Sequence, residues 1–111
     1  MKADLHNHSY FSDGVLSPKE LVRIASKAGC DLFSLTDHDS INGIVEAQLE
    51  AVKLGLNFVN GVEISAFWRN SAIHIVGLGI EIENDMLQVG LEFNQNLRID
   101  RAKKIALGLW R

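Results

Sequence analysis

At 111 residues the chain is long enough for one small domain with one core and too short for two. Its 47% hydrophobic and 23% charged residues exclude a disordered or fibrous chain. A formal net charge of −3, with no acidic or basic block, excludes affinity built on non-specific attraction to phosphate backbones and leaves a small anionic substrate open.

The start, Met1-Lys2-Ala3-Asp4, turns polar before a signal-peptide core could form, and no apolar run approaches the ~20 residues of a membrane span. A cytoplasmic protein with no membrane partner is therefore expected. Ala3 to His6 reads as a first strand. Ser17-Pro18-Lys19-Glu20 is a capping box with proline at the first helical position, so a helix should run from about Pro18 to Ala28 and stop at Gly29. Cys30, the single cysteine, has no partner for a disulfide or a zinc ribbon and reads as a small residue between helix and strand. Asp31 to Thr36 follows as a strand. A second helix is expected from Gly43 to Leu54, with Ile44, Ala47, Ala51 and Leu54 at helical spacing and Gly55 closing it.

Asn57 to Val62 reads as a third strand. From Glu63 to Ile80 no helical period is visible, and Arg69-Asn70-Ser71 separates two apolar runs, which predicts an irregular hairpin-like excursion leading to a fourth strand at Ala72 to Gly79. The remainder, from about Asn84 to Arg111, is expected to be helical but broken or bent near Gly90, with Ala102, Ile105, Ala106 and Leu109 on one apolar face. Strands alternating with helices imply an α/β fold with a mainly parallel sheet, open or closed into a barrel, whose functional groups gather at strand ends.

Those ends are rich in metal-binding residue types. His6 and His8 are two apart, and on an extended chain they project from the same side, where two imidazoles can reach one divalent cation. Surface or capping histidines would give the same pair. Asp13 precedes Gly14, and an Asp-Gly turn accounts for it without chemistry. Thr36-Asp37-His38-Asp39 crowds two carboxylates and an imidazole directly after an apolar run. A helix cap from Asp39 or Ser40 explains part of this, and a metal ligand with carboxylate support explains Asp37 and His38 together. Glu63 lies among apolar residues, where an unpaired ionised carboxylate is costly and a nearby cation removes the cost. His74 stands between Ile73 and Ile75, as a hydrogen-bonded core histidine or as a ligand. Explained separately, these residues require four successive strands to end in His, Asp or Glu by accident; one shared site explains them at once.

Asp4-Leu5-His6-Asn7-His8-Ser9, Ser12-Asp13-Gly14, Leu35-Thr36-Asp37-His38-Asp39, Gly61-Val62-Glu63-Ile64-Ser65 and His74-Ile75-Val76-Gly77-Leu78 resemble, in order, the motifs of the polymerase-and-histidinol-phosphatase (PHP) superfamily. The helix carrying Arg98, Arg101 and Ala102 is also similar to a bacterial branch with nucleotide phosphatases and a 5′-to-3′ exoribonuclease. The resemblance implies the N-terminal part of a distorted (β/α)7 barrel with a trinuclear metal site. His6 and His8 would bind the first metal with Glu63, which bridges to the third; Asp13 and His38 would bind the second, and His74 the third. It implies Mn²⁺, Zn²⁺ or Fe²⁺ as cofactor and hydrolysis of a small phosphorylated substrate, a nucleotide or short RNA, by a metal-activated water.

Histidinol-phosphate phosphatase and polymerase-associated exonuclease are the alternatives within the superfamily, and a non-catalytic metal-binding fragment is the alternative outside it. No histidine follows His74, so a later histidine and an Asp-x-His pair of the complete pattern have no counterpart here. The 111 residues are accordingly expected to form a single domain with an incomplete barrel, a fragment of a longer protein or a truncated product, and to pair with another chain or copy or be only marginally stable. Arg98 and Arg101 read either as solvated helix residues or as contacts to substrate phosphate. Trp68 reads either as hairpin packing or as a base-stacking ring.

Overall fold

A computed structural model describes residues 1–108. Four strands and three helices follow one another as β1 (Ala3–Asp4), α1 (Pro18–Lys27), β2 (Leu32–Leu35), α2 (Ile44–Leu54), β3 (Asn57–Trp68), β4 (Ser71–Leu78) and α3 (Asp85–Ala106). They form one open sheet in the order β1-β2-β3-β4. The first two pairings are parallel and β3 with β4 is antiparallel, so the expected α/β architecture with a mostly parallel sheet is present as an open part of a barrel.

The helix signals work as the sequence predicts at α1. Ser17 accepts from the Glu20 backbone N–H at 3.1 Å, the Glu20 carboxylate takes the Ser17 N–H, and Gly29 leaves the helix at φ +80°. Gly55 closes α2 at φ +71°. Val22 and Ala25 of α1 and Ala47 and Ala51 of α2 meet Phe33 and Leu35 of β2 and the buried Leu56 in the core. Leu54, expected on the buried face of α2, is exposed, and Leu56, immediately after the Gly55 stop, takes the apolar position at the strand entrance. Arg23 of α1 donates from Nε to the buried Glu50 carboxylate of α2 at 2.7 Å. That bond, against the opposing effect of burial, holds the Glu50 carboxyl below its ordinary range.

Three predicted boundaries differ. β1 ends at Asp4, not His6, because Asn7 replaces regular pairing: its N–H donates to Thr36 Oγ1 at 3.0 Å, its carbonyl accepts the Thr36 N–H at 2.8 Å, and its side-chain amide reaches the Ser34 carbonyl at 3.1 Å. Residues 63–80 hold a regular hairpin, not an irregular excursion. β3 continues through Glu63 to Trp68, and eight cross-strand pairs run from Gly61 opposite Leu78 to Trp68 opposite Ser71. Arg69 and Asn70 turn the chain at φ +50° and +66°, the paired left-handed conformation whose twist suits a two-residue hairpin. Finally, α3 passes Gly90 without a break, with Asn84 capping its start by accepting the Leu87 N–H at 2.9 Å. Ala102, Ile105 and Ala106 are exposed instead of forming a buried face, and Leu109 lies outside the described residues.

Gly61 marks a close approach between strands. A Cβ placed there would lie 2.4 Å from Ser34 Oγ and 2.8 Å from Thr36 Cγ2. Gly61→Ala should therefore destabilise the chain by about 1–3 kcal/mol by forcing β2 and β3 apart. Phe33→Ala should cost about 3–5 kcal/mol through the cavity it leaves. Urea unfolding of both variants checks these values; wild-type midpoints would contradict the packing described.

Candidate metal centre

The loop after β1, the turn after β2 and the β3–β4 hairpin bring the six predicted residues together. His6 and His8 flank Asn7 outside any strand, so strand alternation is not what aims them. Asn7 turns towards β2, and the imidazoles on either side converge on Glu63. His6 Nε2 is in direct hydrogen-bond contact with Glu63 Oε1, and His8 Nε2 lies 3.3 Å from the same oxygen. His74 Nδ1 meets Glu63 Oε2 at 2.6 Å, and His38 Nδ1 lies 3.4 Å from it. Asp13 completes the cluster, its carboxylate 3.4 Å from His8 Nδ1 and 3.2 Å from His38 Nε2.

Glu63 does not stand at a strand end as predicted but within β3, whereas His74 lies inside β4, the strand expected to carry it. Glu63 nevertheless falls just beyond the parallel part of the sheet, which ends with Leu35 opposite Asn60. A single bridge joins it to His38: the Glu63 N–H donates to the Asp37 carbonyl at 3.0 Å, and the Asp39 N–H donates to the Glu63 carbonyl at 2.9 Å. His74 is half exposed, which removes the reading of it as a core histidine.

The two carboxylates flanking His38 brace it from opposite sides. Asp37, fully buried, accepts from the Ser9 N–H and Ser9 Oγ at 2.6 Å each and from Ser12 Oγ at 2.7 Å, fixing the loop that carries His8 and Asp13. Gly14 lets that loop close, since a Cβ there would fall 2.1 Å from the His8 carbonyl oxygen. Asp39, also buried, does not cap α2, whose start at Gly43 has no side-chain cap. It accepts instead from Ser65, Asn94 and Arg98. The roles of Ser9, Ser12 and Asn94 carry no sequence signal, because each is an ordinary polar residue whose partner is distant in the chain. Trp68 is exposed at the hairpin end with the Arg69 guanidinium 5.5 Å from its ring centroid.

Burial alone would raise the Glu63 carboxyl. The hydrogen bonds from His6 and His74 and the charge of His38 outweigh it, so the group sits below the ordinary carboxylate range and is held ionised. The buried Nδ1 atoms of His8 and His38 have no hydrogen-bond partner among the described residues. Buried nitrogens are seldom left in that state, and a cation would satisfy both. His6, His8 and Glu63; His8, Asp13 and His38; and His38, Glu63 and His74 each present donor atoms within 4.8 Å of one another. The 3.2–3.4 Å separations between imidazole nitrogens and carboxylate oxygens match the ~3.4 Å edge of a tetrahedron around a cation with bonds of about 2.1 Å. The donor set therefore fits a divalent metal ion.

The chain is similar to known proteins in sequence and in fold. The family model of the PHP domain matches residues 4–103. A 3′,5′-nucleoside bisphosphate phosphatase of Chromobacterium violaceum is 42% identical over 106 residues, covering 96% of this chain and 37% of that protein. A 5′-3′ exoribonuclease of Haemophilus influenzae is 45% identical over 104 residues, covering 94% and 38%. The chain thus spans a little over a third of the length of these relatives. Among solved structures, an amidohydrolase from Chromobacterium violaceum with bound sulfate and no metal superposes with a TM-score of 0.90 at 41% identity, covering 94% of this chain and 37% of that one. With the motifs in order, the fold superposed and most of the sequence matched, the chain belongs to the PHP domain family.

Proposed function

We propose that this chain is the N-terminal part of a metal-dependent phosphoesterase acting on nucleotides or short oligonucleotides, with His6, His8, Asp13, His38, Glu63 and His74 as its metal ligands. The observation that carries the reading is the convergence of four imidazoles and two carboxylates, with the buried Nδ1 atoms of His8 and His38 otherwise unpartnered. The names of the relatives, a bisphosphate phosphatase and an exoribonuclease, support the substrate class. So does the sulfate in the Chromobacterium amidohydrolase, an oxyanion with the shape of phosphate.

When bound, divalent cations supply Lewis-acid stabilisation of phosphate oxygens and an activated water. The chain's own residues prepare for that role. Glu63 offers one oxygen towards His6 and His8 and the other towards His38 and His74, so one buried charge can serve two cations. Asp37 fixes the loop of His8 and Asp13 through three hydrogen bonds from Ser9 and Ser12.

The three donor groups draw on only six residues, and although the two oxygens of Glu63 can serve two groups, His8 and His38 would each be claimed by two, so the groups compete when filled together. Calorimetric titration of the 111-residue chain with Mn²⁺ should find at most about one tight site. It should show no phosphatase activity above a His8→Ala control. Glu63→Gln should weaken that site at least about tenfold, since it removes the charge while keeping the volume, and Cys30→Ser should leave it unchanged. Equal Mn²⁺ affinity in Glu63→Gln and wild type would remove Glu63 from the centre.

A longer protein containing these residues should hydrolyse nucleotides, lose that activity on exhaustive chelation and regain it with a divalent cation. Assays with nucleoside bisphosphates, short RNA and histidinol phosphate identify the substrate. Full turnover with the metal content shown to be near zero would overturn the proposal.

A further inference from the structure

Beside the metal centre lies a cavity of about 390 Å³, within the roughly 300–1,000 Å³ that small-molecule sites span. Phe67, Ile73, Phe93 and Leu97 make its walls apolar, and His74 and Arg98 supply polar groups. Helix α3, which contributes Phe93, Leu97 and Arg98, is held in an unusual way. Leu91 is its one buried residue among those described, so apolar packing does little to fix it. A polar clamp does the work instead. Asn94 Nδ2 donates to Asp39 Oδ1 at 2.9 Å and to the Ser65 carbonyl at 3.0 Å, and Gln95 Nε2 donates to the Asp39 carbonyl at 2.6 Å. Arg98 Nη2 donates to Asp39 Oδ2 at 2.8 Å and to Ser65 Oγ at 3.0 Å.

Asp39 is fully buried and adopts φ +50°, a left-handed conformation that a non-glycine residue keeps only when its surroundings enforce it. Both its oxygens are used, Oδ1 by Ser65 N–H and Asn94 and Oδ2 by Ser65 Oγ and Arg98. Sheet register decides where this leaves the guanidinium. Ser65 stands directly opposite His74 across the hairpin, so anchoring Arg98 on Ser65 sets it beside the third donor group. The Arg98 side chain remains 46% exposed. Its two anchoring bonds both use Nη2, out of the five N–H donors a guanidinium carries. An arginine fixed in advance recognises an oxyanion without first giving up its rotamer freedom.

Resting on the function proposed above, we infer that Arg98 recognises a phosphate group of the substrate and that Asp39 is the positioning residue that holds it there, while the apolar walls take the nucleobase. The test compares adenosine 5′-monophosphate with adenosine as probes, by equilibrium titration of the Mn²⁺-loaded 111-residue chain, with Mn²⁺ affinity and unfolding midpoint measured on the same samples. Arg98→Ala and Asp39→Asn should each lower affinity for the monophosphate about tenfold, the size of one charge-assisted hydrogen bond. In Arg98→Ala the adenosine and Mn²⁺ affinities should stay at wild-type values, and the double variant should bind the monophosphate no more weakly than Asp39→Asn alone. Should Asp39→Asn fail to fold, Ser65→Ala tests the positioning, because it removes the other anchor of Nη2 and should give a smaller loss of the same phosphate selectivity.

Equal losses for monophosphate and adenosine would make Asp39 and Arg98 structural only. Unchanged monophosphate affinity, additive losses in the double variant, a fall in Mn²⁺ affinity for Arg98→Ala or a wild type that binds no monophosphate would each overturn the inference. Failure of the functional reading shows separately, as a chain that takes up no Mn²⁺.

Discussion

The buried carboxylate of Glu63 is the constraint on which this molecule turns. An isolated ionised carboxylate removed from water costs several kcal/mol even after relaxation. Glu63 avoids that cost because histidines from three separate segments reach its two oxygens. Each of those segments must therefore be placed to within hydrogen-bonding or coordination distance. The fold supplies that placement by attaching the His38 turn to the Glu63 backbone and the β1 loop to Thr36, so that side chains and backbone are fixed by the same residues.

The turn after β2 serves three purposes in three residues. His38 faces the centre. Asp37, on one side of it, grips Ser9 and Ser12, and Asp39, on the other, grips Ser65 and α3. Neither buried carboxylate is needed to touch a cation. Their hydrogen bonds reduce the freedom of a first-loop histidine, a turn histidine and a helix, which is the support that bound metals and substrates require of their surroundings.

What could be read from the sequence follows from how local its cause is. The capping box at Ser17 and the stops at Gly29 and Gly55 are each written within a few positions, the six metal-binding residue types each stand in a short motif of their own, and the structure brings those six residues into one cluster. The ends of β1 and β3 were not legible, because distant partners set them: Asn7 finds Thr36 and Ser34, and β3 is prolonged by β4. The bend expected in α3 rested on the low helix propensity of Gly90. One such residue costs only about 1 kcal/mol, too little to break a helix of 22 residues. The clamp on Asp39 was equally hidden, since Asn94, Gln95 and Arg98 lie more than fifty positions from it.

The position of Glu63 within a strand, where a strand end was expected, has a topological cause. β3 pairs in parallel with β2 over Asn57 to Asn60 and antiparallel with β4 over Gly61 to Trp68. The strand thus changes partners at Gly61, where the missing Cβ lets it pass against Ser34 and Thr36. Beyond that point the chain after β2 keeps the same register through the His38 bridge to Glu63, so β3 is flanked there by His38 on one edge and by β4 on the other. Glu63 stands two residues after the exchange, beside His38, and β4 returns His74 to its carboxylate from the other direction. The parallel sheet does end at the centre; the chain merely continues past it as a hairpin. A carboxylate within a strand can therefore occupy the place that a strand end occupies in a simpler α/β sheet, and the same handover that opens the metal centre sets Ser65, and through it Arg98, at the edge of the neighbouring cavity.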